Sequence, residues 1–244
     1  MSGMGRAKDH VNLGKWGREE FERMLRTASA IGRISERMRF ISAAFLGVSY
    51  GKSTLIGGND EAEAFVIDLE AMDCFTFIDY VEAGRLSDSF GDFRLHLRKV
   101  RYKHALVSYG TRRHFFTDWR YTGRVRDVTR EVGGERVSRA KKTLNRKADG
   151  SPILPGIPER ERRIAFVPSI RIDTGVMADL RTGDYAGIYT ETEGLDVSHV
   201  GIIIRDGRRL LFRHASSVKR KVLDQDFLPY ISGKPGIVVL RPEG

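Results

Sequence analysis

Apolar residues recur at helical spacing over residues 19–45. Phe21, Met24, Leu25, Ala28, Ile31, Ile34, Met38, Ile41 and Phe45 fall on one stripe, with charged residues between them. The period predicts helix, and Gly32 is placed to divide it in two. Residues 47–58 are turn-rich. A second helical period starts at Cys74 and continues through Phe77, Ile78 and Val81. Asp73 precedes it and is a residue type whose carboxylate caps helix starts, so Cys74 is expected in a first helical turn. Residues 90–107 are amphipathic without a decisive period. The last third changes character. Residues 184–190, 197–205, 208–216 and 236–241 are short β-like runs separated by turn residues.

Two of those runs flank Asp206-Gly207, a strong hairpin signal. Taken as a two-residue loop, it sets Arg205 opposite Arg208 and Ile204 opposite Arg209. His199 then lies opposite His214 on one face of the ribbon. The chain has six histidines, so a facing pair is a feature to weigh. An ordinary cross-strand pair is the bland alternative.

Length and charge narrow the field. The 244 residues fit one large domain, read here as 19–244 after an N-terminal tail at 1–18. Lys and Arg number 42 against 32 Asp and Glu, a net charge of +10. That excess favours anionic partners: nucleic acid, an acidic membrane surface or carboxylate-rich cell-wall peptides. The densest basic run holds Arg136, Arg139, Lys141, Lys142, Arg146 and Lys147, and a solvated helix face is its bland reading. With Pro152, Pro155 and Pro158 downstream, residues 130–160 read as an irregular insertion. Residues 1–15 carry no signal-type apolar core, and residues 40–48 are too short to span a bilayer. A soluble protein without a transmembrane segment is expected, its compartment and oligomeric state left open.

The single cysteine rules out an internal disulfide and any multi-cysteine zinc motif. Cys74 with two histidines leaves three readings: a zinc site, a nucleophile–base–orienter triad, or a buried thiol far from both. Zinc wants a fourth, closely spaced ligand. The triad needs no metal or other cofactor, and a helix start suits it, because the dipole and free amides stabilise a thiolate and a developing oxyanion.

The ordered set Asp73-Cys74, Ser198-His199-Val200-Gly201-Ile202 and His214-Ala215-Ser216-Ser217 resembles the NlpC-type papain-like amidases and peptidases of bacterial cell walls. Leu46-Gly47-Val48-Ser49-Tyr50 is similar to that family's loop ending in Pro-Tyr, with Ser49 in place of proline. Three segments narrow the resemblance to the N-acetylmuramoyl-L-alanine amidase-like branch: Asp73-Cys74-Phe75-Thr76-Phe77, Arg113-His114-Phe115-Phe116-Thr117-Asp118-Trp119, and Gly194-Leu195-Asp196-Val197-Ser198-His199-Val200-Gly201. It spans roughly residues 34–241, with 136–161 poorly matched.

The resemblance implies an α+β papain-like fold, a helical lobe carrying the cysteine packed on a small antiparallel sheet carrying the histidines. It implies hydrolysis of the amide between muramic acid and L-alanine, with muropeptides as partners. By position it makes Cys74 the nucleophile, His199 the base and His214 the residue that orients it. Tyr50 matches a tyrosine near the oxyanion site. His114, Trp119, Asp196 and Ser198 become candidate substrate contacts, with a buried tryptophan and a surface histidine as the plain alternative for the first two. Phe75-Thr76 departs from the Ser-Gly that follows the cysteine in common cell-wall peptidases. A γ-D-glutamyl endopeptidase or an acyltransferase on the same scaffold is the nearest rival. A basic nucleic-acid-binding module is the remote one. It would not need Cys74, His199 and His214 together, and no aromatic–basic RNA motif appears.

Overall fold

The computed structural model describes residues 9–244. Of the tail read at 1–18, residues 1–8 lie outside the described residues. The rest belongs to the fold: Asp9–Asn12 forms β1, and Trp16 packs edge-on against Phe21 and Phe45. The predicted long helix is two, α1 (Arg18–Ser29) and α2 (Ile34–Ala44), with Gly32 between them. β2 (Ser49–Tyr50), β3 (Phe65–Asp68) and β4 (Ala71–Met72) follow. β3 pairs in parallel with β1. α3 (Cys74–Arg85) and α4 (Phe90–Arg101) complete the helical half.

The remaining strands are β5 (Val125–Asp127), β6 (Ser138–Leu144), β7 (Arg160–Pro168), β8 (Tyr185–Tyr189), β9 (Val197–Asp206), β10 (Arg209–Ser216), β11 (Lys221–Asp226) and β12 (Gly236–Pro242). Short helices α5 (Thr129–Gly133), α6 (Thr174–Asp179) and α7 (Phe227–Ile231) lie among them. One curled sheet runs β4-β2-β11-β10-β9-β8-β12-β7-β6, with β5 beside β12, which makes the fold mixed α+β. The α3 helix packs on this sheet through a core that includes Phe77, Ile78, Val81, Val200 and Ile202.

Two expectations are corrected. The basic run is neither a helix face nor an irregular insertion. Most of it is β6, an edge strand paired along its whole length with β7. Charged side chains on an edge strand discourage further pairing with other chains, which suits Arg139 and Lys141. Lys142 instead points inward, and its ammonium donates to the carbonyls of Thr190 (2.5 Å), Thr192 (2.7 Å) and Leu195 (2.8 Å). It thereby clips the loop that leads into β9.

The hairpin is also displaced. Asp206 pairs with Arg209 and Arg205 with Leu210, so the loop is Gly207-Arg208. Gly207 sits at the first central position with φ +57°, and Arg208 is not left-handed. An Asp206-Gly207 loop of type I′ would demand positive φ at both residues, whereas a type II′ turn needs it only at the glycine. His199 and His214 are therefore not directly opposite. One more step of the ladder brings His214 across from Gly201 and leaves His199 on the diagonal. The displacement is two residues, an even number, so both histidines keep the same face.

Candidate active site

Cys74 opens α3 because Asp73 caps it. The Asp73 carboxylate accepts from the N–H groups of Phe75 (2.9 Å) and Thr76 (2.7 Å), and the Thr76 hydroxyl accepts from the Asp73 N–H (3.0 Å). This reciprocal box fixes the chain's entry into the helix. It also claims two of the amides expected to serve an oxyanion, leaving the Cys74 N–H as the donor at the helix start outside the cap.

The thiol is set against β9, where it takes the backbone N–H of Val200, the residue after His199. A β-bulge lies beside it. Ile188 pairs with His199 and Tyr189 with Val197, so Ser198 is the extra residue. Bulges re-aim neighbouring side chains. Here Ser198 is turned to solvent, while His199 faces the sheet interior.

A line of hydrogen bonds runs from His199 into the protein. His199 Nε2 lies 2.7 Å from His214 Nδ1, and His214 Nε2 lies 2.8 Å from Gln225 Oε1. A carbonyl oxygen only accepts, so His214 carries its proton on Nε2. Its Nδ1 then accepts from His199 Nε2–H, which leaves the lone pair of His199 on Nδ1. Phe212 stacks on the His214 ring and Tyr230, on α7, leans against both imidazoles. The buried stack holds each ring in one orientation.

Burial sets the protonation states. It lowers the pKa of His199 to about 3, with His214 and Lys234 adding to the effect. It lowers that of His214 as well. Burial, with Asp73 adding to it, pushes the Cys74 thiol up to about 12 against the opposing Val200 N–H. The enriched thiolate expected from the helix dipole is therefore overturned: desolvation dominates, and the capping carboxylate at the positive end of α3 adds to it. The resting pair is a neutral thiol and a neutral imidazole. Alkylation by iodoacetamide is expected to be slower than for a free cysteine at pH 7 and to rise steadily through pH 9–10. A rate faster than that of free cysteine at neutral pH would contradict this assignment.

Tyr50 comes to the same place by a different route. β2 runs parallel to β4 with Tyr50 beside Met72, two residues before Cys74. Its hydroxyl pKa is raised by burial and then by Cys74 and Asp73. The Tyr230 hydroxyl is pushed up to about 12 by burial and Cys74. A cation covers each ring, Arg220 over Tyr50 at 4.9 Å and Lys234 over Tyr230 at 5.1 Å. Neither cation forms an ion pair among the described residues.

The other sequence candidates separate from this cluster. Trp119 is fully buried between Phe75 and Tyr185, a core residue with no face for a sugar. Asp196 is buried too. It accepts from the Thr117 N–H (2.7 Å), the Thr117 hydroxyl (2.8 Å) and the Val197 N–H (2.8 Å), so it ties the start of β9 to residues 116–121. His114 is half-buried with Nε2 2.8 Å from the Tyr109 carbonyl. Gln225, Tyr230, Lys234 and Arg220 escaped sequence reasoning. Gln225 sits in a polar strand with no alternation to mark it, and Tyr230 reaches the site only through the packing of α7. Among the described residues, no three His, Cys, Asp or Glu side chains converge as a metal site.

No curated protein sequence matches the chain significantly. Solved structures do. A Legionella pneumophila protein of the DUF1460 family shares the fold at 20% identity and TM-score 0.78, over 93% of this chain and 94% of that one. An N-acetylmuramoyl-L-alanine amidase from Bacteroides uniformis is similar at 26% identity and TM-score 0.72, over 87% of this chain and 100% of that one. The family model described as AmiA-like, N-acetylmuramoyl-L-alanine amidase-like, matches residues 40–237, from before Tyr50 to beyond Lys234, and the chain belongs to that family.

Proposed function

We propose that the protein is a cysteine amidase on a papain-like scaffold, hydrolysing the amide between N-acetylmuramic acid and L-alanine in peptidoglycan fragments. The observation that carries the reading is the line His199, His214, Gln225, with the base lone pair left free, beside a thiol at a helix start that meets the backbone N–H of Val200, the residue after His199. His199 Nδ1 takes the thiol proton as sulfur attacks the lactyl carbonyl. A C–S bond forms, and the carbonyl electrons move onto oxygen. In this reading the Cys74 N–H and the Tyr50 hydroxyl hold that oxyanion, and losing one such donor typically costs about 2.7–4 kcal/mol. The imidazolium then gives its proton to the L-alanine nitrogen as the C–N bond breaks. His199 next deprotonates a water that attacks the thioester, and proton return to sulfur regenerates the thiol with release of the lactyl acid.

The neutral resting pair fits this order, since both charges appear only as the transition state is reached and stabilisation is confined to it. Arg220 and Lys234 suit a substrate rich in carboxylates. Incubating the protein with a purified muropeptide and weighing the products tests the reading. Release of an intact stem peptide is expected from wild type and none from Cys74→Ala. Cleavage after D-glutamate would instead assign the γ-D-glutamyl endopeptidase activity, and a fully active Cys74→Ala would end the cysteine mechanism. The charge complement makes a separate prediction. KM should rise several-fold between 0.05 and 0.5 M salt while kcat stays within about twofold, because screening weakens encounter more than chemistry. A flat KM would show that these cations do not contact substrate.

A further inference from the structure

The first residue of α3 carries the thiol. The other end of the helix borders a cavity of about 580 Å3 lined by Leu86, the C-terminal part of α4 and residues 103–124. The helix has 12 residues, so the two ends are about 18 Å apart. The cavity is thus separate from Cys74, and its volume lies in the range of small-molecule sites, roughly 300–1,000 Å3.

Its charge is one-sided. Lys99, Lys103, Arg113 and Arg124 all line it, and none forms an ion pair among the described residues. The single carboxylate in the wall, Asp118, is already held by Arg162 at 2.9 Å and Arg160 at 3.6 Å. Part of the cationic charge answers the end of α4. Arg113 Nη1 donates to the carbonyls of Lys99 (2.8 Å) and Val100 (2.9 Å), and its backbone N–H to that of Arg101. A helix C-terminus supplies only about half a negative charge, however, against four cations.

Arg113 is only 8% exposed and commits Nη1 to the carbonyls that end α4. Burial and then the neighbouring Arg160 hold the Lys103 ammonium below the usual lysine pKa range, with Asp118 opposing them only in part. The backbone here is strained as well. His104 and Ala105, at the rim, are consecutive non-glycine residues with φ +56°. Strain of about 1–3 kcal/mol per residue persists where the surroundings over-determine it, and such residues cluster at ligand clamps.

We infer that this cavity binds a phosphorylated small molecule. One carboxylate brings a single negative charge, whereas a phosphate monoester brings about 1.5–2 with three acceptor oxygens, a closer match to converging lysine and arginine donors. Leu86, Val100 and Ala105 supply an apolar wall, and the 69% exposed ring of Tyr121 stands at the mouth to receive the organic part.

Calorimetric titration of the full chain at fixed ionic strength with pyrophosphate, glucose 6-phosphate and citrate tests this. Saturable binding of at least one phosphate compound is expected, with Lys103→Gln weakening it at least tenfold. Tighter glucose 6-phosphate supports a monoester and tighter pyrophosphate a diphosphate. The double variant Lys99→Gln/Arg124→Gln changes only exposed rim residues and guards against a folding defect in the first; it too should weaken binding. Absence of saturable binding, unchanged affinity in both variants, or citrate binding as tightly as the phosphates would overturn the assignment. The readout is heat of binding, so it stands whatever bond the enzyme cleaves.

Discussion

His199→Ala is expected to lower kcat for muropeptide hydrolysis on the order of 10⁴-fold, nearly as far as Cys74→Ala. With the thiol pushed up to about 12, almost no thiolate exists at neutral pH without a base to receive its proton. Removing the imidazole therefore removes the nucleophile in practice. His214 behaves differently. It orients the His199 ring by accepting from Nε2–H and is itself held by Gln225. His214→Gln offers an amide oxygen to the same proton and should retain a measurable part of the rate. His214→Ala leaves that N–H without its partner in a buried site and frees the ring to turn, and should lose more.

Gln225→Leu carries the sharper test. It removes the acceptor that pins the His214 proton on Nε2, so the opposite tautomer becomes available and the His199 lone pair can be turned away from sulfur. The expected result is a drop in kcat of about tenfold to a hundredfold with KM little changed, in a protein whose circular dichroism is that of wild type. A Gln225→Leu variant with full kcat would mean the orientation of His199 rests on ring packing by Phe212 and Tyr230 alone.

The proposed catalytic pair was legible because its signals are local or depend only on parity. Asp73 and the period Cys74, Phe77, Ile78, Val81 mark the helix start without any tertiary knowledge. The two histidines share a strand face by alternation, and alternation survives a two-residue error in register. The error itself came from turn type. Sequence shows a glycine after an aspartate, but whether that glycine occupies the first or second central position depends on which φ values the flanking strands impose.

Electrostatics was the weaker reading. The dipole of α3 is a local property and was visible. The desolvation that outweighs it comes from β9 packing over the thiol, and from Tyr50 and Tyr230 arriving from opposite ends of the chain. Trp119 and Asp196 show the same limit. Both stand in segments that resemble the family's motifs, and both are buried where they brace the segments around the site. β6 was missed because an edge strand carrying Arg139, Lys141 and Lys142 has too few apolar positions to display a period of two.

The largest stability effect is expected at the far end of α3 from the thiol. Glu82 and Arg85 are 1% and 3% exposed and form a bidentate pair, with both contacts at 2.6 Å. The Tyr185 hydroxyl donates to the same carboxylate at 2.7 Å, and Arg85 also reaches the Arg124 carbonyl at 3.0 Å. Tyr185 belongs to β8, so the group fastens the helix to the sheet. Glu82→Ala strands a guanidinium in the core with one carbonyl for company and should cost about 3–5 kcal/mol, lowering Tm by roughly 10 °C. Replacing both partners, as Glu82→Leu/Arg85→Met, should recover most of that loss, because the penalty lies in the unpaired charge and not in the absent ion pair. At a temperature where Glu82→Ala is still folded, kcat should stay within a few-fold of wild type, since the Asp73 cap fixes the first turn of α3 independently of its last. A double variant less stable than Glu82→Ala would show that the pair contributes net stability through geometry that an apolar replacement cannot supply. A folded Glu82→Ala with kcat lowered a hundredfold would show that the position of Cys74 depends on the whole helix and not on its cap.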